Sequence, residues 1–171
     1  MTPTADAPAV LNRAGIAARV PHAGTMCLLE RLLHWNADEI TCTVTDAADP
    51  QHPLRERGRD GVDDPDLGLD ACCAIEFAAQ AMALHASLGA AAGEAPTPGF
   101  LASARDVQLH VPRLDTAAGP LTVQARRLAG DERQAMYRFA LHDAAGRPLV
   151  EGRATVVLNT PLPRSGTPAA P

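Results

Sequence analysis

The sequence predicts an α+β domain in which a curved antiparallel sheet wraps one long helix. Three observations predict it. Residues 69–88 form an apolar run that, beyond Asp70 at its start, is broken only by Glu76, Gln80, His85 and Ser87, and a helix apolar nearly all the way round needs cover on most sides. The segments 105–111, 120–128, 133–142 and 148–158 alternate apolar and polar residues, the pattern of half-buried strands. Ahead of the helix, an apolar block at 26–35 and a second alternating segment at 39–46 flank a short turn. One sheet can cover only one helix of this kind.

Taken in order, residues 1–12 are rich in Ala, Pro and Thr and read as a loose tail. The block MCLLERLLHW (26–35) is followed by a turn at 36–38 and by EITCTVTD, with Ile40, Cys42 and Val44 on one side and threonines on the other. A hairpin is expected. Residues 47–66 are dense in Pro, Gly and Asp, which predicts a long loop, and loops of that length are usually functional or mobile. Asp66 or Asp70 can cap the helix, and GAAAGEAPTPG ends it. The strand at 105–111 puts Arg105, Val107, Leu109 and Val111 on one face. In the strand at 133–142, Tyr137, Phe139 and Leu141 share a face. In the last strand it is Val150, Gly152, Ala154, Val156 and Leu158. Residues 159–171 are Pro-rich and form a second loose tail, which leaves a single domain over 13–158. A sheet of this kind keeps an open edge, and a dimer is expected.

At 171 residues and 46% hydrophobic, the chain can build a real core, but with 3% aromatics that core must come from Leu, Val, Ala and Met. The net charge is −5, and every basic residue is Arg. Such a balance argues against general nucleic-acid binding, while leaving room for a local Arg patch facing an acidic partner. Four cysteines without a C-x-x-C pair, and histidines that do not cluster beside them, give no zinc pattern. No signal peptide and no bilayer-spanning segment are read, so the expected location is the cytoplasm, with reduced thiols. The sequence contains no G-x-x-x-x-G-K-[ST] and no G-x-G-x-x-G.

The central question is why a buried helix carries Glu76. An ionised carboxylate in an apolar setting needs partners. Gln80 stands four residues on, on the same helix face. Two readings stand: a structural carboxylate bonded to Gln80 or a loop Arg, or a general acid or base against an apolar wall. Cys72 and Cys73 beside it read as small filler lining the site or as thiols with a pKa lowered at the helix start. Arg55, Arg57 and Arg59 form a charge run balanced by Glu56 and Asp60.

The stretches PHAGTMCLLERLL (21–33), AIEFAAQAMALH with its Glu-x-x-x-Gln pair, FLASARDVQLHVP (100–112) and PLVEGRATVVL (148–158) resemble the β-hydroxyacyl carrier-protein dehydratases. With HPLR (52–55) included, they are most similar to the dehydratase-like branch of aryl-polyene pigment synthesis. The resemblance implies a hot-dog fold, a dimer, and loss of water from a 3-hydroxyacyl thioester to give a 2-enoyl thioester. The acyl group would arrive on the phosphopantetheine arm of an acyl carrier protein, and no bound cofactor or metal is implied. By position Glu76 matches the family's acid, Gln80 would orient it, and Cys72 and Cys73 would line the substrate path. Arg55, Arg57 and Arg105, with Arg113, are candidates to meet the acidic carrier.

The family's catalytic histidine sits in a His-Phe-Pro loop close before the glutamate. Here the corresponding stretch, GRDGVDDPDLG, holds no histidine. The nearest upstream is His52, which becomes the first candidate base, with His22 second. His85 falls on the opposite helix face. His34, His110 and His142 are expected at the surface. This departure keeps two alternatives open: a non-catalytic partner subunit in a hot-dog heterodimer, or a thioesterase that uses Glu76 to activate water.

Overall fold

The computed structural model describes residues 10–58, 66–90, 99–131 and 133–158. A short helix α1 (Arg13–Ala17) opens the described chain, capped where Gly15 N–H donates to Asn12 Oδ1 at 3.0 Å. One 3₁₀ turn, Gly24–Met26, precedes the hairpin β1 (Arg31–Trp35) and β2 (Glu39–Val44). The hairpin is as expected, but β1 is shorter than the apolar block. Residues 26–30 instead run as a strap, buried at Cys27–Leu29, in which Met26 O and Leu28 N–H bond the Gln80 side chain and Glu30 N–H reaches β2 at Thr43 O, 2.8 Å.

The central helix α2 spans Ala74–Gly89 and is entered through a 3₁₀ turn at Ala71–Cys73. Asp70 caps that turn by accepting from Cys72 N–H at 2.7 Å. The turn is stapled to a later loop: Ala71 N–H bonds Pro112 O at 3.0 Å and Leu114 N–H bonds Leu69 O at 2.8 Å. Ala71–Gly89 is long and apolar enough to cross a membrane by length and composition, which corrects the reading that no segment approaches that size. In the fold it lies against β2, β4, β5 and β6. Phe77, Ala78, Ala81, Met82 and Leu84 are buried there, each large side chain worth about 1.5–3 kcal/mol.

The rest is strands β3 (Phe100–Leu109), β4 (Leu121–Gly130), β5 (Gln134–His142) and β6 (Pro148–Val157). All pair antiparallel in one six-stranded sheet of order β1-β2-β4-β5-β6-β3. Tyr137, Phe139 and Leu141, and Val150, Gly152, Ala154 and Val156, face the helix as the alternation requires. In β3 the phase differs from the sequence reading. A bulge between Arg105 and Gln108, with Asp106 at φ 51°, inserts an extra residue. Arg105 therefore pairs opposite Arg153 on the outer face, whereas Val107 packs inward on the core.

The two sheet edges differ. The β1 edge is partly covered by the chain entering α1, where Leu32 N–H bonds Leu11 O at 2.8 Å and Asn12 bridges Arg31. The β3 edge carries no described strand beyond it, and Phe100, Leu101 and Leu109 are exposed along it. The predicted tails and the second half of the long loop (59–65) lie wholly or mostly outside the described residues.

Candidate active site

Glu76 stands in the first turn of α2, with Gln80 one turn on. The Gln80 amide is fully buried and reads the strap backbone as a strand would: its Oε1 accepts from Leu28 N–H at 2.9 Å, and its Nε2 donates to Met26 O at 2.8 Å. The second Nε2 hydrogen goes to Glu76 Oε1 at 2.9 Å. Every polar group of the amide is thereby used, and the strap is pinned to the helix.

Pinning the strap brings His22 to the helix. His22 Nε2 lies 3.1 Å from Glu76 Oε1, with both side chains partly exposed. A carboxylate only accepts, so Nε2 carries the proton. Glu76 Oε1 thus receives two donors, while Oε2 of this partly exposed side chain bonds to no described residue. The hydrogen bond from His22, aided by Gln80, lowers the Glu76 pKa against the opposing effect of burial. At neutral pH Glu76 is a carboxylate. On the other side of the His22 ring, Nδ1 is buried without a partner among the described residues.

His52 sits elsewhere. Leu54 N–H donates to its Nδ1 at 3.2 Å, so the ring proton is on Nε2. That Nε2 is buried with no described partner, and the ring packs edge-on against Phe77 at 5.7 Å. His52 is 3% exposed, and burial lowers its pKa. It anchors the loop 47–58 on the helix through Phe77, whereas Glu76 is bonded by His22 and Gln80. His85 lies at the far end of α2, donating from Nε2 to Asn36 O at 2.8 Å and accepting from Tyr137 Oη at 2.9 Å. It is a buried clamp between helix and sheet. His34 and His110 are exposed and His142 is half-buried.

The cysteines do not carry activated thiols. The hydrogen bond with Asp70, helped by burial, pushes the Cys72 thiol up to about 11, and burial raises Cys73 as well. Here a capping carboxylate outweighs the helix N-terminus. Cys73 sits partly buried with its thiol toward Leu54 O at 3.9 Å. Arg55 is held by Asp115 at 2.8 Å, and Arg113 holds the same carboxylate at 2.6 Å. Arg57 is exposed and reaches Pro50 O at 3.2 Å. Arg105 lies on the outer face of the sheet, opposite to the face that holds α2. The structure therefore joins Glu76, Gln80 and His22, places Cys72 and Cys73 at the helix start just before them, draws Arg55 and Arg113 together on Asp115, and leaves Arg57 on the loop and Arg105 on the outer face of the sheet. Among the described residues no group of three or more His, Cys, Asp or Glu could hold a metal ion.

Sequence reasoning found the Glu76–Gln80 pair through its spacing. It ranked His22 second because His52 is the nearer histidine upstream of Glu76, and His22 matches the resembled family's entry segment rather than its catalytic loop. The signal that could have found it is the buried amide, which must bond a backbone somewhere.

A family model described as ApeP-like, ApeP dehydratase, matches residues 14–164. No curated protein matches the chain. Among solved structures, the chain is similar to the dehydratase heterocomplex ApeI:P from Xenorhabdus doucetiae, at 25% identity over 85% of this chain and 91% of that one, with a TM-score of 0.69. A mutant thioesterase from Staphylococcus aureus is similar at 11% identity over 75% and 92% of the chains, with a TM-score of 0.55. A thioesterase from Haemophilus influenzae is similar at 13% identity over 81% and 82%, with a TM-score of 0.51. The last two share the fold alone. It is the hot-dog fold expected from the sequence, an antiparallel sheet packed on one long helix.

Proposed function

The chain belongs to the ApeP-like dehydratase family, and from that premise we propose that it removes water from a 3-hydroxyacyl thioester delivered on an acyl carrier protein. The observation that carries the reading is the half-open carboxylate of Glu76, fixed through one oxygen and free at the other. A thioester acidifies the hydrogen on its α-carbon. Glu76 Oε2 takes that proton as the α-carbon forms its double bond to the β-carbon. The C–O bond at the β-carbon breaks, and the same proton, returned from Oε2, leaves with the hydroxyl as water. The carboxylate is regenerated, and no other reactant is needed. His22 and Gln80 hold Oε1 and keep the resting group ionised. One carboxyl working on one face gives syn loss of water. In the aryl-polyene setting suggested by the sequence, the product is a 2-enoyl thioester.

The open β3 edge supports pairing with a second hot-dog chain, as does the similarity to a heterocomplex. This second reading makes the present chain one half of the working unit.

Dehydration of a 3-hydroxyacyl carrier-protein thioester, followed for wild type, Glu76→Gln, His22→Ala and His52→Ala, tests both. Glu76→Gln is expected to lose about 10²–10⁴-fold in turnover, and His22→Ala a smaller part of that. Full activity in Glu76→Gln would sink the reading. Loss in His52→Ala equal to that in Glu76→Gln, with the fold intact, would restore the loop histidine as base. A wild type that works only when mixed with a second hot-dog chain assigns it the partner role. Glu76-dependent release of free thiol instead of enoyl product would make it a thioesterase.

A further inference from the structure

The outer face of the sheet carries an arrangement that the proposed reaction does not use. Arg126 on β4 is directly opposite Arg138 on β5. Arg138 is opposite Arg153 on β6, and Arg153 is opposite Arg105 on β3. Four exposed arginines thus stand side by side across four neighbouring strands. Like charges placed directly opposite destabilise a sheet. Arg153 is relieved by Asp106, whose carboxylate accepts from its Nε at 2.9 Å. Glu39 faces Arg126 across the β2–β4 pairing, without an ion pair. The side chains of Arg126, Arg138 and Arg105 make no hydrogen bond or ion pair with any described residue. The chain as a whole carries a net charge of −5, so the row is not one part of a generally basic surface.

We infer that this Arg row is a docking surface for an acidic helix of a partner protein, laid across the strands. Neighbouring strands are about 4.8 Å apart, so the row spans about 14 Å. Carboxylates at successive i, i+3 and i+4 positions of a helix recur about every 5.4 Å. Over the row the two spacings drift apart by less than about 2 Å, which arginine side chains absorb, and the guanidinium fork suits carboxylate geometry. Beside the row, Met136 and Leu128 are exposed and offer the apolar contact that a helix flank needs. On the other side the neighbouring row contains Glu151, which is engaged by His110 at 2.9 Å. A duplex nucleic acid or a charged bilayer presents a wider sheet of negative charge, which a net negative chain repels outside the row. A single helix meets the row alone. The face is opposite to the one that holds α2 and Glu76, so the inference does not rest on the dehydratase reading.

The test uses the full chain and a fluorescein-labelled, alanine-rich helical peptide of about 20 residues with glutamates on one face, read by anisotropy. The control peptide carries glutamine at those positions. The glutamate peptide is expected to bind, to weaken with salt, and to lose about tenfold or more on the triple variant Arg105→Gln/Arg126→Gln/Arg138→Gln. The melting temperature of that variant should hold or rise, since repulsion is removed. Arg31→Gln, outside the row, should leave binding within about twofold. Equal binding of both peptides, or wild-type binding by the triple variant, would overturn the inference. So would row-dependent binding to vesicles of phosphatidylcholine and phosphatidylglycerol without peptide binding, which would make the surface a membrane contact.

Discussion

At the scale of residues, Gln80 organises the site. It satisfies Met26 O, Leu28 N–H and Glu76 at once. Replacing it by alanine orphans buried backbone groups, at a cost of about 1–3 kcal/mol each. Gln80→Ala should therefore lower stability in urea titration and reduce turnover together, because the strap holding His22 is released. Cys72 gives a sharper chemical prediction. It is exposed, yet its thiol is raised to about 11. Alkylation by iodoacetamide should be slow at neutral pH and accelerate only as the pH approaches that value, and Asp70→Asn should speed it at neutral pH. The Glu76–Gln80 pair was legible because helical spacing is a local property. The His22 contact was not, since a 54-residue separation from Glu76 has no local trace: it depends on where the strap is pinned.

At the scale of elements, alternation identified β2, β5 and β6 with the right inward residues, because each has a buried and a solvated face. β3 escaped it. A period of two assumes that every residue advances the strand equally, and the bulge at Asp106 breaks that assumption, turning Arg105 outward. The long helix was recognised by composition, but its start was placed early because the 3₁₀ turn is as apolar as the helix proper. In β6, Gly152 marks close packing. A Cβ there would stand 2.9 Å from the Phe139 ring and 3.1 Å from Val107. Gly152→Ala should cost about 1–3 kcal/mol in equilibrium unfolding, and Phe139→Leu in the same background should recover part of it.

At the scale of the whole molecule, one carboxylate joins distant loops. Asp115 bonds Arg113 and Arg55 and is held down at about 2. That lies below the ordinary 3.8. A depressed pKa contributes stability that is complete above the unfolded value and disappears as pH falls through the folded one. The contribution is about 2 kcal/mol at neutral pH. Acid unfolding of the wild type should therefore steepen between about pH 4 and pH 2, and Asp115→Asn should flatten that part of the curve while lowering stability at neutral pH. Glu76, also lowered, acts in the same direction. None of this was readable from the sequence, where Arg55 was one charge in a run, because the partner lies 60 residues further along the chain.

The bulge on β3 has a further consequence for assembly. A straight, regular border with free backbone groups invites any extended segment and can propagate without limit. The kink at Asp106, with a second register shift between Leu101 and Ser103, divides this border into three short runs, Phe100–Leu101, Ser103–Arg105 and Gln108–Leu109, each offset by one residue from the last. A strand laid against it finds its hydrogen bonds only if it carries the matching offset at the matching place. Selection of a mate is then exercised by phase, before any side chain is read, and the same mismatch that admits one neighbour turns away the ribbon that would grow into a fibre.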